Sequence, residues 1–351
     1  MLAMLYAVIG LPGDALSRCA SLTLALLRRA FDDITTVRAD TLEEIGRELL
    51  LHDTARAMVV FHQPGGRVSR ALSETNQRFV VVLGDPRTAL ADLVLRRGHG
   101  LIAATRIVAS SCAAVTELVD MPGALVVRAG SAADDHDQLA AAIARHFRLG
   151  LDPPAVADAA GRTEPAEPAL SAAAVAAWWD GLTESEQAVA AGGLDPYRAV
   201  SGGLGGPDHG RPGRLLWKPE LFCCGDRPGE PVAGALDITG RARCLLSGPE
   251  ILPPRGNWLL TASFEISPEA VEHNFVVEVW AGAMLSSTTI RASETGVATL
   301  ALALSFDQLP DRPLQLRVAN ERPAFSGQLR LGEVVLIERG DMPEPSAADA
   351  R

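Results

Sequence analysis

Lysine is almost missing from this chain. Lys218 is the only one, so arginine supplies nearly all of the 32 basic residues, which are set against 43 acidic ones. The formal net charge of -11 argues against a general nucleic-acid binder and against a protein that docks on anionic membranes, because either needs a broad basic face to collect phosphates. With no lysine before residue 218, any anion site in the N-terminal half has to be built from arginine and backbone N–H groups. Paired cysteines are lacking as well. Cys19, Cys112, Cys223, Cys224 and Cys244 are odd in number, scattered, and without a C-x-x-C spacing, which speaks against a zinc or dithiol site of that type and for a reducing compartment. Nor does the start read as a leader: MLAMLYAVIGLPGD has no basic residue, and Gly10, Pro12, Gly13 and Asp14 break its apolar run before it could serve as a signal core or a span. The expectation is a cytoplasmic protein without a membrane-spanning segment.

What is present is apolar residues in quantity, 48% over 351 residues, enough for two domains with real cores. The first 150 residues alternate strand and helix. Met4 to Ile9, Ala57 to Phe61, Phe79 to Leu83 and Ala124 to Arg128 are short apolar runs of the kind a parallel sheet buries. Helical periodicity follows over Ala15 to Phe31, from Thr41 with a capping box to Glu44, over Ser69 to Asn76, from Pro86 behind an Asp85 cap, over Thr105 to Leu118, and over Asp134 to Phe147. This predicts an α/β domain, a parallel sheet with flanking helices, over residues 1–152. Residues 153–213 turn rich in Pro, Ala and Gly and read as a connector with one helix, Ala169 to Ala191, and a flexible glycine cluster, Ser201 to Gly213. From 214 to 340 the pattern alternates: LLTASFEI, NFVVEVWAG, ATLALALSF, LQLRVAN and GEVVLIER are half-buried strands, predicting an all-β antiparallel sandwich, and residues 341–351 read as a disordered tail.

Three segments resemble the P-loop-fold sulfotransferases over residues 1–152. IGLPGDALS, Ile9 to Ser17, stands where that family has a G-x-P-(R/K)-S-G-T-(S/T) loop; LGDPRTALADLV, Leu83 to Val94, where it has R-D-P-R-D-x-x-x-S; and Ala124 to Asp152 where it has V-V-R-Y-E-D-L and a helix ending in F-L-G-L. The resemblance implies sulfuryl transfer from 3'-phosphoadenosine-5'-phosphosulfate, with Gly10, Pro12, Ser17, Arg18, Asp85 and Arg87 as the matching cofactor-binding positions. Against that chemistry, the loop's cation is Gly13, followed by the carboxylate Asp14, and the arginine before Asp85 is Gly84. Backbone N–H groups alone, beside a carboxylate, make a poor cradle for phosphate. A degenerate, non-catalytic relative is therefore expected, needing no cofactor, with an active sulfotransferase acting on a glycan or small-molecule hydroxyl as the alternative.

Other candidates are individual side chains. His62 lies beyond a strand's carboxyl end, where a base could sit, although an exposed loop histidine is the plainer reading. His136 among Asp134, Asp135 and Asp137 reads as an acidic helix start rather than a metal cluster, and Cys112 as a buried thiol. The sandwich resembles carbohydrate-binding modules, and GPEILPPRGNW, Gly248 to Trp258, resembles a turn and strand of bacterial carbohydrate-pathway proteins. Trp217, Trp258 and Trp280, with Phe222, are the aromatic platforms such binding would use. The partner implied is a glycan, or another protein of glycan or exopolysaccharide metabolism.

Overall fold

The computed structural model describes residues 4–52, 55–129, 136–163, 170–198 and 212–339. The chain forms two compact units, Met1–Gln187 with Tyr197–His209, and Ala188–Pro196 with Gly210–Arg351.

The first unit is the expected α/β domain. Strands β1 (Met4–Gly10), β2 (Thr35–Arg38), β3 (Arg56–Phe61), β4 (Phe79–Leu83) and β5 (Ala124–Arg128) form a parallel sheet in the order β2-β3-β1-β4-β5. β4 is buried at every position, as an unbroken Phe-Val-Val-Val-Leu run requires when helices cover both faces. Tyr6, Val8, Met58, Val60, Val80 and Val82 point into a core closed by helices α1 (Asp14–Ala30), α6 (His136–Phe147) and α7 (Pro153–Gly161). Strand residues alternate faces, so Ala7, Ile9, Val59 and Val81 bury on the other side, where α4 (Pro86–Leu95) and α5 (Leu101–Leu118) pack together. Among the described residues α5 is the one helix long and apolar enough to cross a membrane, and most of it is buried inside the protein. Helices α2 (Leu42–His52) and α3 (Gly66–Glu74) complete the crossovers. The α2 capping box forms as its spacing requires: Glu44 N donates to Thr41 Oγ1 at 3.2 Å, and Asp40 and Thr41 N donate to Glu44 Oε2 at 2.9 and 3.2 Å.

The connector differs from the sequence expectation. The unit does not stop at residue 152: Asp152 caps α7, accepting from Ala155 N at 2.9 Å ahead of two prolines, and Val156, Ala159 and Ala160 then enter the core. This repeats the Asp85-Pro86 signal, which the Pro and Ala content of the segment obscures. The single helix expected over Ala169 to Ala191 is two, α8 (Ala172–Asp180) and α9 (Glu184–Leu194). Gly181 ends the first, and Thr183 with Glu186 forms a capping box for the second. The glycine cluster from 201 to 211 and the tail from 341 to 351 lie outside the described residues.

The second unit is a sandwich of two antiparallel sheets. One runs β13-β10-β15-β6, with β8 also paired to β15; the other runs β12-β11-β14-β9-β7. The strands are β6 (Arg214–Trp217), β7 (Cys223–Cys224), β8 (Ala235–Asp237), β9 (Arg243–Ile251), β10 (Gly256–Ile266), β11 (Asn274–Trp280), β12 (Met284–Arg291), β13 (Gly296–Phe306), β14 (Leu314–Asn320) and β15 (Gln328–Arg339). The five alternating runs are β10, β11, β13, β14 and β15. β9 and β12 go beyond the expected strands, since Gly248-Pro249 interrupts the first and the centre of the second is Ser-Ser-Thr-Thr. Inward positions of both sheets, among them Leu260, Phe264, Phe275, Val277, Leu316 and Leu336, are almost wholly buried. Each such side chain contributes about 1.5–3 kcal/mol of transfer free energy.

Candidate functional site

The carboxyl edge of a parallel sheet is where an α/β fold places ligands, and here the loops after β1, β3 and β4 converge on it. The loop between β1 and α1 is only Leu11, Pro12 and Gly13, all buried, and Gly10 before it is packed so closely that an added Cβ would lie 2.7 Å from the Val82 carbonyl. Gly13 takes φ 145°, and its missing side chain points towards Asp92, whose Oδ2 would lie 3.9 Å from a Cβ there. Asp14 turns to α4: Arg96 Nη1 donates to both of its carboxylate oxygens at 2.9 Å, and Leu170 N donates to Oδ2 at 3.2 Å. Asp92, with 5% of its side chain exposed, receives Arg97 Nε at 3.1 Å and a longer contact from Arg96 at 3.5 Å. Two carboxylates and two arginines thus form an internal ion network beside the loop. Arg96 and Arg97, the C-cap of α4 and the residue after it, are evident in the sequence as helix-dipole residues; the partner of Arg96 across 82 positions is not.

The positions expected to hold the cofactor are dispersed in environment. Ser17 and Arg18 are exposed on the first turns of α1, and Gly10 and Pro12 are buried. Asp85 accepts from Thr88 N and Thr88 Oγ1, both at 2.8 Å, which is N-cap geometry. Arg87 lies with its guanidinium carbon 4.1 Å from the centroid of the Trp179 ring, a cation–π contact inside the same unit. Arg18 does line a small cavity with Arg128 and His136, but its volume of about 60 Å³ holds water rather than a nucleotide. The residues present therefore do not fit a bound phosphosulfate: the loop is closed, its cation is absent, and the nearest carboxylates already have arginine partners.

His62 corrects the plainer expectation, because it is not an exposed loop residue. It is half-buried, and its Nδ1 is buried with no hydrogen-bond partner. Burial lowers its pKa from the ordinary value, Arg97 and Arg38 push in the same direction, and Asp40 partly opposes them. Asp40 is itself committed to the turn, accepting from His62 N at 2.8 Å and Gln63 N at 2.7 Å. His136 is held by Ala160 O at 3.1 Å and Thr163 Oγ1 at 2.8 Å, while Asp134 and Asp135 lie outside the described residues. Among the described residues no group of three or more acidic, His or Cys side chains is placed to hold a metal. Cys112 is buried and its thiol is pushed far up by desolvation, as a core residue's would be.

In the sandwich, two of the three tryptophans change role. Trp217 and Trp258 are each 1% exposed, and Trp258 Nε1 donates to Pro254 O at 3.0 Å, so both are core anchors with no face left for a sugar. Phe222 is likewise fully buried. Strand alternation turns the Trp217 and Trp258 rings inward, and the same alternation turns Trp280 outward, where it is half-buried. Beside it a groove of about 400 Å³ crosses the outer face of the β12-β11-β14-β9-β7 sheet, lined by Ser247, Glu250, Val276, Glu278, Gln315 and Arg317 with Gly225, Cys244 and Ala319. Its polar groups are tied together. Trp280 Nε1 donates to Glu278 Oε2 at 2.8 Å, and Arg317 donates through Nε and Nη2 to Gln315 Oε1 at 3.1 and 2.7 Å. Gln315 Nε2 in turn donates to Glu250 Oε1 at 2.9 Å. The Arg317 guanidinium stacks 4.7 Å from the Trp280 centroid, directly across the strand pair from Glu278. Sequence reasoning missed Glu278, Gln315 and Arg317, although they occupy the polar positions of NFVVEVW and LQLRVAN. Alternation shows that they face outward and cannot show that β11 and β14 lie side by side and bring them together.

No protein-family model matches the chain, and no curated protein matches it. Among solved structures, the likenesses include a family two carbohydrate esterase from Cellvibrio japonicus, at 15% identity and TM-score 0.25, covering 38% of this chain and 36% of that one. They also include a family 16 carbohydrate-binding module, at 12% identity and TM-score 0.23, covering 36% of this chain and 86% of the module. A third is the C-terminal CBM6 of LamC, a laminarinase of Zobellia galactanivorans, at 12% identity and TM-score 0.22, covering 36% of this chain and 99% of that one. The chain spans about a third of the length of the esterase it resembles. At these TM-scores the functional reading rests on the groove's own residues.

Proposed function

We propose that this protein binds glycans through the outer face of the sandwich, with the α/β domain as a non-catalytic, sulfotransferase-like scaffold in glycan or exopolysaccharide metabolism. The observation that carries the reading is the groove. A pyranose presents an apolar C–H face and a rim of hydroxyls, and it is bound by a ring beside fixed donors and acceptors. Trp280 supplies the ring, Arg317 and Gln315 the donors, and Glu278 and Glu250 the acceptors, already fixed by their mutual hydrogen bonds. Calorimetric titration with a panel of soluble neutral and acidic oligosaccharides should give binding that Trp280→Ala and Arg317→Ala each weaken by about tenfold or more. Binding unaffected by both substitutions would move the site elsewhere, and no binding to any of the panel would end the proposal.

The α/β half supports a scaffold role because its loop is closed by its own side chains. Titration with adenosine 3',5'-bisphosphate should show no heat at up to about millimolar ligand. Micromolar binding that Arg18→Ala and Arg87→Ala weaken would instead support the active-sulfotransferase reading, with 3'-phosphoadenosine-5'-phosphosulfate as donor.

A further inference from the structure

The side wall of the sandwich is formed by two consecutive edge strands, β12 and β13. Among the described residues, β12 pairs only with β11 and β13 only with β10. Each strand leaves a row of backbone N–H and C=O groups facing outward, a template for another strand. Proteins that keep such edges unpaired usually place lysine, arginine, proline or an inward charge on them. None is present in the central part of this wall. No charged residue occurs between Glu278 and Arg291, nor between Glu294 and Asp307, in a chain that is 21% charged. The wall is also under-filled: Ile290, Leu300 and Leu302 point inward yet stay only half-buried, and Val297 is 71% exposed.

We infer that β13 is a dimerisation strand that pairs antiparallel with β13 of a second copy of this chain, about a two-fold axis at Ala301. The occupant is identified by the strand's own residues. In an antiparallel pair, residues directly opposite share a face. With Ala301 on the axis, Leu300 meets Leu302 on the inner face, while Thr299 meets Ala303 on the outer one. GVATLALALSF thus sets leucine against leucine on the inner face and only small, uncharged side chains against each other around the axis on the outer one. A two-fold pairing is also self-limiting, since both β13 edges are consumed in one closed contact. The leucines that end half-exposed in one copy gain the partner's leucines as neighbours, and the sheet becomes continuous across the pair. This inference does not depend on the glycan groove, which lies on the other sheet.

Sedimentation velocity of the full chain at about 50 μM should show a dimer, a concentration at which micromolar affinity keeps most of the protein paired. Ala301→Lys places two ammonium groups directly opposite each other at the axis and should shift the protein to monomer, with dimer affinity reduced by about tenfold or more. Ala301 is exposed, so circular dichroism should report an unchanged fold. The double substitution Thr299→Lys/Ala303→Glu sets each lysine opposite a glutamate of the other copy and should keep the dimer. A wild-type monomer at this concentration, an open-ended oligomer, or a dimer indifferent to Ala301→Lys would each overturn the inference. So would loss of the dimer in the Lys/Glu double variant, because only this register brings those two positions together.

Discussion

Replacing Trp258 by alanine should cost the sandwich about 3–5 kcal/mol, the largest loss expected from any single substitution in that unit. The side chain sits on β10, flanked by β13 and β15 and opposite Leu304 and Glu338, and only 1% of it is exposed. Truncation removes the buried indole, leaves a cavity that the flanking strands cannot collapse into, and strips the Pro254 carbonyl of its donor. Trp258→Phe separates the two effects: it keeps most of the apolar volume and forfeits the hydrogen bond, so its cost should be about 1–3 kcal/mol. Hydrogen exchange read by mass spectrometry resolves the outcome by region. The amides of β10, β13 and β15 should exchange roughly two to four orders of magnitude faster in Trp258→Ala, while the parallel sheet keeps its protection. Equal protection in β10 of the variant and the parent would show that Trp258 is not an anchor and would reopen its candidacy as a sugar platform. Trp280→Ala is the contrast, because its ring lies on the outer face and should cost binding rather than stability.

How much of this is readable in the sequence depends on whether an interaction is local. β4 and β5 occupy the residues that their apolar runs mark, and α4 begins at Pro86 behind an Asp85 cap, because strand burial and N-capping are decided within a few positions. β2 escapes notice since Thr35–Arg38 is a short edge strand with one buried residue, and four residues carry too little alternation to register. α7 is hidden by composition: Pro and Ala suggest a connector, whereas Asp152-Pro153 is a helix start and alanine is the best helix former. At the candidate sites the divide is sharper. A tryptophan in an alternating strand is equally compatible with core and surface until the register is known. Trp258 and Trp280 can be told apart only after pairing sets β10 and β11 on their sheets. Asp14, the first residue of α1, shows the same limit from the electrostatic side. Asp14 reads as repulsion towards a phosphate when its neighbours in sequence are considered, and as half of an ion pair once α4 is folded against it.

That ion pair gives the second large effect. Arg96→Ala should destabilise the α/β unit by about 2–4 kcal/mol, below the figure for a wholly buried pair because the Arg96 and Asp14 side chains remain 22% and 16% exposed. Most of the cost would come from what the substitution leaves behind. Asp14 keeps a single backbone donor, Leu170 N, and Asp92 keeps Arg97, so a carboxylate close to the N-terminus of α1 is left largely unpartnered in a low-dielectric setting. The double substitution Asp14→Asn/Arg96→Ala removes both charges and should recover about 1–3 kcal/mol of that loss, measured as a coupling energy in urea denaturation of the four proteins of the cycle. Additive losses would show that the two side chains act independently despite their 2.9 Å contact. The same variants probe the proposal that the loop is closed by its own ions. If Asp14 and Arg96 merely cover an intact nucleotide site, the doubly substituted, uncharged variant would uncover it, and adenosine 3',5'-bisphosphate would then bind. The expected result is a stabilised variant relative to Arg96→Ala that still gives no heat with the nucleotide, because Gly13 and Gly84 offer no cation at either end of the ligand and the three-residue turn from Leu11 to Gly13 is too short to wrap a phosphate.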